Sequence, residues 1–321
     1  MTNNISASLE QRLGHAQAEQ RKRIEAMREA SGRDSRIRVF GLPISEATIR
    51  TVLKVSGFYG RGCWNASELG QKDNFVRAPI PRNFEGFRIL QLSDLHIDMN
   101  PAIVGRLAKM LPALHYDLCV FTGDYRGKSY GPHQSAIDEI RKIRPSLKGP
   151  IYGVLGDHDI IAMVPELENL GIRMLLNESI RIDRGADSIR LAGIDDAHGF
   201  HSDDIAKAVS EIPTSDFSIL LSHTPEVYRQ AEMAGFKLLL SGHTHGGQIC
   251  LPGGYPVTLE AGIPRFMGAG PWRYKRMIGY TSRGTGSSVV PVRFNCPPEI
   301  TLHHLHAIPS EGAVSDVQLE H

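Results

Sequence analysis

The chain has 321 residues and a mass of 35.4 kDa, enough for one large domain or two small ones. Lys plus Arg is 36 and Asp plus Glu is 35, and a formal charge of +1 argues against a protein that coats long nucleic acid through bulk charge. Four widely spaced cysteines, with no C-x-x-C pair, exclude a disulfide framework, a zinc ribbon and a thioredoxin-type motif, and read as free thiols of a reducing compartment.

In chain order, residues 1–38 form a basic helical arm. Arg12 to Arg38 holds eight Lys or Arg and four acids. Leu9, Leu13, Ile24 and Met27 make only a thin apolar stripe, so the arm reads as a solvated, partly frayed helix. Its functional alternative is contact with anionic lipid or a second subunit. On the solvated reading, removing residues 1–38 is expected to spare hydrolysis of a small soluble ester. Residues 39–85 read as a helical and irregular lead-in with glycines at 57, 60 and 62. From Phe87 short apolar runs recur at Phe87–Leu92, Leu118–Thr122, Ile151–Leu155, Ile189–Ile194, Phe217–Leu221 and Phe236–Leu240. Helical patterns lie between several of them, at Ala102–Leu111, Gln134–Ile143, Asp204–Val209 and Pro225–Ala234. Strands alternating with helices predict an α/β domain with buried strands, over 86–307, followed by a loose tail at 308–321. No run reaches the ~18 to 20 apolar residues of a membrane span. The first residues lack the apolar core of a secretory signal, so the expected location is cytoplasmic, with peripheral attachment at the inner membrane left open.

The residues just past each strand carry the chemistry, because ligands of open α/β sheets gather at strand C-termini. Asp94 and His96 follow the first run, Asp124 the second, and Asp157 and His158 the third. His223 follows Leu221, and His243 and His245 follow Leu240. One such Asp is ordinarily a helix cap or turn former. Asp-x-His and His-x-His differ, since residues i and i+2 of an extended segment share a face and can reach one ion. The donors are oxygen and nitrogen without sulfur, which suits Mn, Fe, Zn or Co. Three carboxylates and four imidazoles are too many for one ion and suit two, ~3.5 to 4 Å apart, with a shared carboxylate. Such a pair activates water near neutral pH and aligns a phosphoryl group, which predicts phosphoester hydrolysis by direct attack of metal-bound hydroxide.

These residues resemble the calcineurin-like metallophosphoesterases, whose pattern is D-x-H, G-D, G-N-H-[DE], a lone His, and G-H-x-H. Here the motifs are D-L-H, G-D, G-D-H-D, S-H and G-H-T-H, in that order, between Phe87 and Leu305. The resemblance implies a four-layer α/β/β/α sandwich of two mixed sheets, with the metals at one edge. It implies that Asp94, His96 and His245 bind one ion, that Asp157, His223 and His243 bind the other, and that Asp124 bridges. The ions would be two divalent cations, with Mn favoured. His158 would sit over the phosphate and stabilise or protonate the leaving oxygen. Asp157 stands where the family usually has Asn, adding a negative charge that should tighten metal binding and reduce Lewis acidity. The short Gly-Asp-Tyr-Arg-Gly segment departs from the protein serine/threonine phosphatase branch.

Gly-Gly-Gln-Ile-Cys-Leu-Pro after the His-x-His, and the later Thr-Ser-Arg-Gly-Thr-Gly segment, look like the bacterial YkuE/YaeI-like phosphodiesterase branch. That branch is related to the UDP-2,3-diacylglucosamine pyrophosphatases of lipid A synthesis, so the implied substrates are phosphodiesters or pyrophosphates, lipid-linked or nucleotide. Residues 252–276 hold Tyr255, Phe266 and Trp272 among Arg265, Arg273, Lys275 and Arg276. They read as a substrate lip touching lipid or membrane, or as a loop packed on its own domain. Arg283 aims at a substrate phosphate or is an exposed strand-end arginine. The competing functions are a non-catalytic scaffold of the same fold and a nuclease or cyclic-nucleotide phosphodiesterase. The complete donor set with His158 argues against the first, and near-zero net charge argues against a long polyanionic substrate.

Overall fold

Successive residues of a strand face opposite ways, so an apolar run buried on both faces serves two cores. Leu118 and Val120 point into one hydrophobic cluster and Cys119 and Phe121 into another. Ile219 and Leu221 face the same inner cluster as Leu118, while Leu220 faces a third. The computed structural model, which describes residues 6–32, 37–39 and 42–308, accordingly has two six-stranded sheets with an apolar layer between them.

The first sheet runs in the order Gly70–Ala78, Glu299–Ala307, Phe87–Leu92, Leu118–Thr122, Ile151–Val154, Arg173–Met174. The second runs Gly270–Tyr274, Met277–Thr281, Leu238–Ser241, Ser218–Leu221, Asp187–Gly193, Glu178–Arg184. The strands from Phe87–Leu92 to Arg173–Met174 are parallel neighbours, and so are those from Asp187–Gly193 to Met277–Thr281. Antiparallel partners at Glu299–Ala307, Gly270–Tyr274 and Glu178–Arg184 make both sheets mixed. Parallel steps need crossovers, and the helices Pro101–Met110, Gln134–Ile143 and Met163–Asn169 supply them on the outer face of the first sheet. Ile205–Val209 and Tyr228–Met233 do so on the second. The result is the α/β/β/α sandwich that the resemblance implies.

The expected lead-in contains the nine-residue strand Gly70–Ala78, paired in parallel with Glu299–Ala307. Its first half, Gly-Gln-Lys-Asp-Asn, has no apolar side chain, so no alternation announces it. Of the expected tail only Ile308 is among the described residues. Among those residues no helix is long and apolar enough to cross a membrane. All four cysteines are free thiols.

The arm differs from its expectation. Its helices Ala7–Leu13 and His15–Ser31 are docked on the sandwich, with Leu9, Leu13, Ala18, Arg21 and Glu25 buried. Met27, counted in the apolar stripe, is exposed. The buried stripe was hidden because two of its members are charged. Arg21 donates from Nη1 to Asp195 Oδ1 at 2.6 Å and from Nε to Glu25 Oε1 at 3.0 Å, with all three side chains out of water. Arg12 pairs with Glu168 at 3.0 Å and Glu178 at 2.7 Å. Two of the arm's arginines, Arg12 and Arg21, are therefore matched by acids of the domain. Replacing Arg21 by Ala would strand two buried carboxylates, a loss of about 3–5 kcal/mol for a broken buried ion pair. Chemical denaturation of Arg21→Ala is expected to show a loss of that order; a midpoint equal to that of the unmodified protein would mean the helix is not docked in solution.

Candidate metal centre

The seven predicted donors come together beyond the carboxyl ends of five strands. Asp94 and His96, Asp124, and Asp157 follow three neighbouring strands of the first sheet, and His223 and the pair His243 and His245 follow two of the second. All seven are buried, Asp157 and His243 least. The parallel ladders continue a step past the strands: Asp94 N donates to Gly123 O and His96 N to Asp124 O, each at 3.0 Å. Across the second sheet Gly242 N donates to His223 O at 2.8 Å. Five of the seven have left-handed backbones, with φ of 49° at Asp94, 36° at His96, 56° at Asp124, 70° at His243 and 50° at His245. Asp and His are among the few non-glycine residues that tolerate this region, and clustered strain of this kind marks functional sites. A Cβ on Gly242 would overlap Ser93 Oγ and Asp94 Oδ2, so a glycine is needed there for the second sheet to approach Asp94.

Among the described residues four groups of three could hold an ion, two of them sharing Asp124: His96, Asp124 and His158, and Asp94, Asp124 and His223; the other two share no residue. In one, Asp94, His96 and His245 lie within 4.8 Å of one another, and in the other Asp157, His223 and His243 do. Asp157 Oδ1 is 3.1 Å from His223 Nε2 and 3.2 Å from His243 Nδ1. His96 Nε2 and His245 Nε2 are 3.1 Å apart. Between the groups, Asp124 Oδ2 is 3.4 Å from both His96 Nε2 and His223 Nε2. The outward ring nitrogens are tied to carbonyls: His96 Nδ1 to Arg126 O at 2.9 Å, His223 Nδ1 to Thr122 O at 2.8 Å, and His243 Nε2 to Glu260 O at 2.7 Å. Such bonds set the tautomer and turn the other nitrogen inward, as ligand imidazoles require.

The charge of the site fits divalent cations. Burial pushes Asp94 up to about 6 and His96 down to about 4. Burial also opposes charge on His243 and His223, yet hydrogen bonding to Asp157 lifts His243 to about 9 and the nearby Asp124 carboxylate holds His223 well above its ordinary range. A field that draws protons onto two buried imidazoles is one that a metal ion would satisfy. His158 is half-buried. Its backbone N donates to Asp124 Oδ1 at 2.9 Å, its Nδ1 is tied to Gly127 O at 2.7 Å, and its ring meets that of His96 edge-on at 4.9 Å.

Residues 87–247, half of the chain, match the family of calcineurin-like phosphoesterases. The chain belongs to that family. It is a metallophosphoesterase, a hydrolase whose chemistry calls for divalent metal ions. It is 32% identical to the Bacillus subtilis metallophosphoesterase YkuE over 242 residues, covering 70% of this chain and 81% of that one. To YkoQ of the same organism it is 28% identical over 254 residues, 75% of this chain and 89% of that one. To a Danio rerio transmembrane protein with a metallophosphoesterase domain it is 30% identical over 241 residues, 69% of this chain. That match spans only 54% of the zebrafish protein's length.

One predicted substrate residue sits elsewhere than expected. Trp272 is buried on the outer face of the second sheet, donating from Nε1 to Thr281 Oγ1 at 2.9 Å and meeting Tyr228 edge-on. Its place in the alternation of Gly270–Tyr274, rather than the basic residues around it, decides its fate. Arg283 packs beside Gly246, next to His245, but its Nη1 pairs with Glu299 Oε2 at 3.2 Å. Of the 252–276 segment, Tyr255 and Phe266 remain exposed.

Other residues of the metallophosphoesterase site carried no predicted role. Asp159, the last residue of the G-D-H-D motif, accepts from the backbone N of Asp124 and Gly156 at 2.8 Å and of Tyr125 at 2.9 Å, locking two donor loops together. Arg293 lies 3.2 Å from His245 Nδ1 and donates to the carbonyls of Arg283 and Cys296. The His198 ring lies tilted 4.1 Å from that of His243, and its Nδ1 is 2.7 Å from Glu226 Oε2. Asp195, Asp196 and His198 follow the strand Asp187–Gly193, the same strand-end signal that marks the donors. Gly242→Ala is expected to cost most of the bound metal while far-ultraviolet circular dichroism is retained; full metal content in that variant would show that the gap between Ser93 and Asp94 is not needed.

Proposed function

We propose that the chain is a two-ion phosphoesterase that hydrolyses phosphodiester or pyrophosphate bonds by direct attack of solvent on phosphorus, with no covalent phosphoenzyme. The observation that carries this reading is Asp124 Oδ2, shared at 3.4 Å between His96 and His223 and flanked by a donor group on each side. Asp94, His96 and His245 would hold one ion and Asp157, His223 and His243 the other, with Asp124 within reach of both groups. The bound ions, drawn from Mn, Fe, Zn or Co, supply positive charge that activates solvent and neutralises the phosphoryl oxygens.

The protein's own groups do the rest. The strained loops hold the donors at fixed spacing, so the site is formed before substrate arrives. His158, with Nδ1 committed to Gly127 O, turns its other nitrogen to the leaving group and stabilises or protonates it. Asp157 puts a carboxylate oxygen against two imidazoles and keeps a negative charge on the second ion. A lipid-linked or nucleotide substrate such as UDP-2,3-diacylglucosamine is supported by exposed Tyr255 and Phe266, with Arg265 over the Tyr255 ring at 4.9 Å. The same segment reaches the centre through the bond between His243 and Glu260 O.

Metal analysis of the purified protein, paired with a panel of monoesters, diesters and nucleotide-diphosphate lipids, tests the reading; fewer than two metal equivalents, or no turnover of any diester or diphosphate, would refute it. His158→Ala is expected to lower kcat by about 10²- to 10⁴-fold, the range for a general acid, with both ions retained. Loss of metal would instead make His158 a ligand. Asp157→Asn is expected to hold metal more weakly and to move the acid limb of the pH–rate profile to lower pH, because the centre then carries one negative charge fewer. Unaltered metal content together with an unaltered profile would remove Asp157 from the ligand set.

A further inference from the structure

The helix His15–Ser31 lies outside the family segment 87–247, yet one of its faces reads the backbone of the loop that carries Asp157 and His158. Residues 21, 25 and 28 stand at i, i+4 and i+7 and so share that face. Arg21 Nη2 donates to Asp159 O at 2.7 Å, and Ile161 N donates to Glu25 Oε1 at 2.8 Å. Arg28 Nη1 donates to Asp157 O. At the next residue, Gly131 N donates to Glu29 Oε2 at 2.9 Å, and Arg126 links Gly131 O to His158 O. The Arg28 guanidinium is packed as well as bonded: it lies 4.3 Å from the ring centre of buried Phe200, which also carries Arg21 at 4.0 Å. A Cβ on Gly199 would overlap it.

The peptide unit between Asp157 and His158 is thus gripped at both ends. Its C=O accepts from Arg28, and its N–H donates to Asp124 Oδ1 at 2.9 Å, on the carboxylate whose other oxygen is shared between the two donor groups. A charged donor on a carbonyl polarises the peptide and strengthens what its N–H gives. We propose that Arg28 is a positioning residue for this reaction, acting through the Asp157–His158 peptide on both Asp124 and His158, and that the N-terminal helix is a working part of the site. This rests on the two-ion phosphoesterase reading above. It reverses the expectation that removing residues 1–38 spares turnover.

The test uses the full-length protein loaded with Mn, as wild type, Arg28→Ala, Arg28→Lys and Arg23→Ala, with bis-p-nitrophenyl phosphate as substrate. Amide hydrogen exchange of residues 155–161 is followed in the same proteins, with and without metal. Arg28→Ala is expected to lower kcat about tenfold, the loss of one charge-assisted hydrogen bond, with KM within about twofold and metal content retained. Arg28→Lys should recover part of the loss, since an ammonium can donate to the carbonyl but lacks the planar face that packs on Phe200. Exposed Arg23, on the other side of the helix, should be replaceable without effect. Exchange over 155–161 should quicken in Arg28→Ala while that of the strand Leu118–Thr122 stays as it was. A rise in KM at unaltered kcat would make Arg28 a substrate contact and overturn the proposal, as would unaltered exchange over 155–161. If the wild type hydrolyses no ester with Mn, Fe, Zn or Co, the functional reading fails alone, and the exchange measurement, which needs no turnover, still decides whether Arg28 sets the loop.

Discussion

One carboxylate joins the two halves of this molecule. Asp124 rises from the middle of the first sheet, and its Oδ2 stands between His96 of the same sheet and His223 of the other. Around it an apolar sandwich has closed over three acids and four imidazoles, a combination that burial alone would make unfavourable. The divalent cations that the family's chemistry calls for would resolve the conflict. The parallel strands of the two mixed sheets end in five loops around one centre, and the inter-sheet core of Leu118, Val120, Ile219 and Leu240 holds those loops in register.

What the amino-acid order discloses depends on how local the deciding interaction is. The central strands are visible because Leu118–Thr122 and Leu238–Ser241 are apolar on both faces, which only a doubly covered strand requires. The donors are visible because each follows such a run directly. Gly70–Ala78 is not, since its pairing with Glu299–Ala307 spans more than two hundred residues and half of it is polar. Trp272 misled because aromatic and basic neighbours suggest a surface lip, whereas its register puts the ring inside.

The N-terminal helix shows the limit most clearly. Hydrophobic periodicity ranks Ile24 and Met27 as its inner face and passes over Arg21 and Glu25, which are the buried ones. No rule of composition tells a solvated arginine from one facing Asp195 across a chain separation of 174 residues. For Arg12 and Arg21 the positive charge is a true signal, whose meaning is set by the acids at Glu168, Glu178 and Asp195 that wait on the domain.

The left-handed backbones of the donors also restrict what evolution could write there. At Asp94, His96 and Asp124 the chain accepts few side chains besides glycine, chiefly Asn, Asp and His. Those are nearly the same side chains that offer a hard or borderline donor on a short stem. A glutamate at 94 or 124 would lengthen the reach by a methylene and also sit badly in its own turn. Main-chain shape and coordination chemistry thus select from one small alphabet, so drift at these positions is barred twice over.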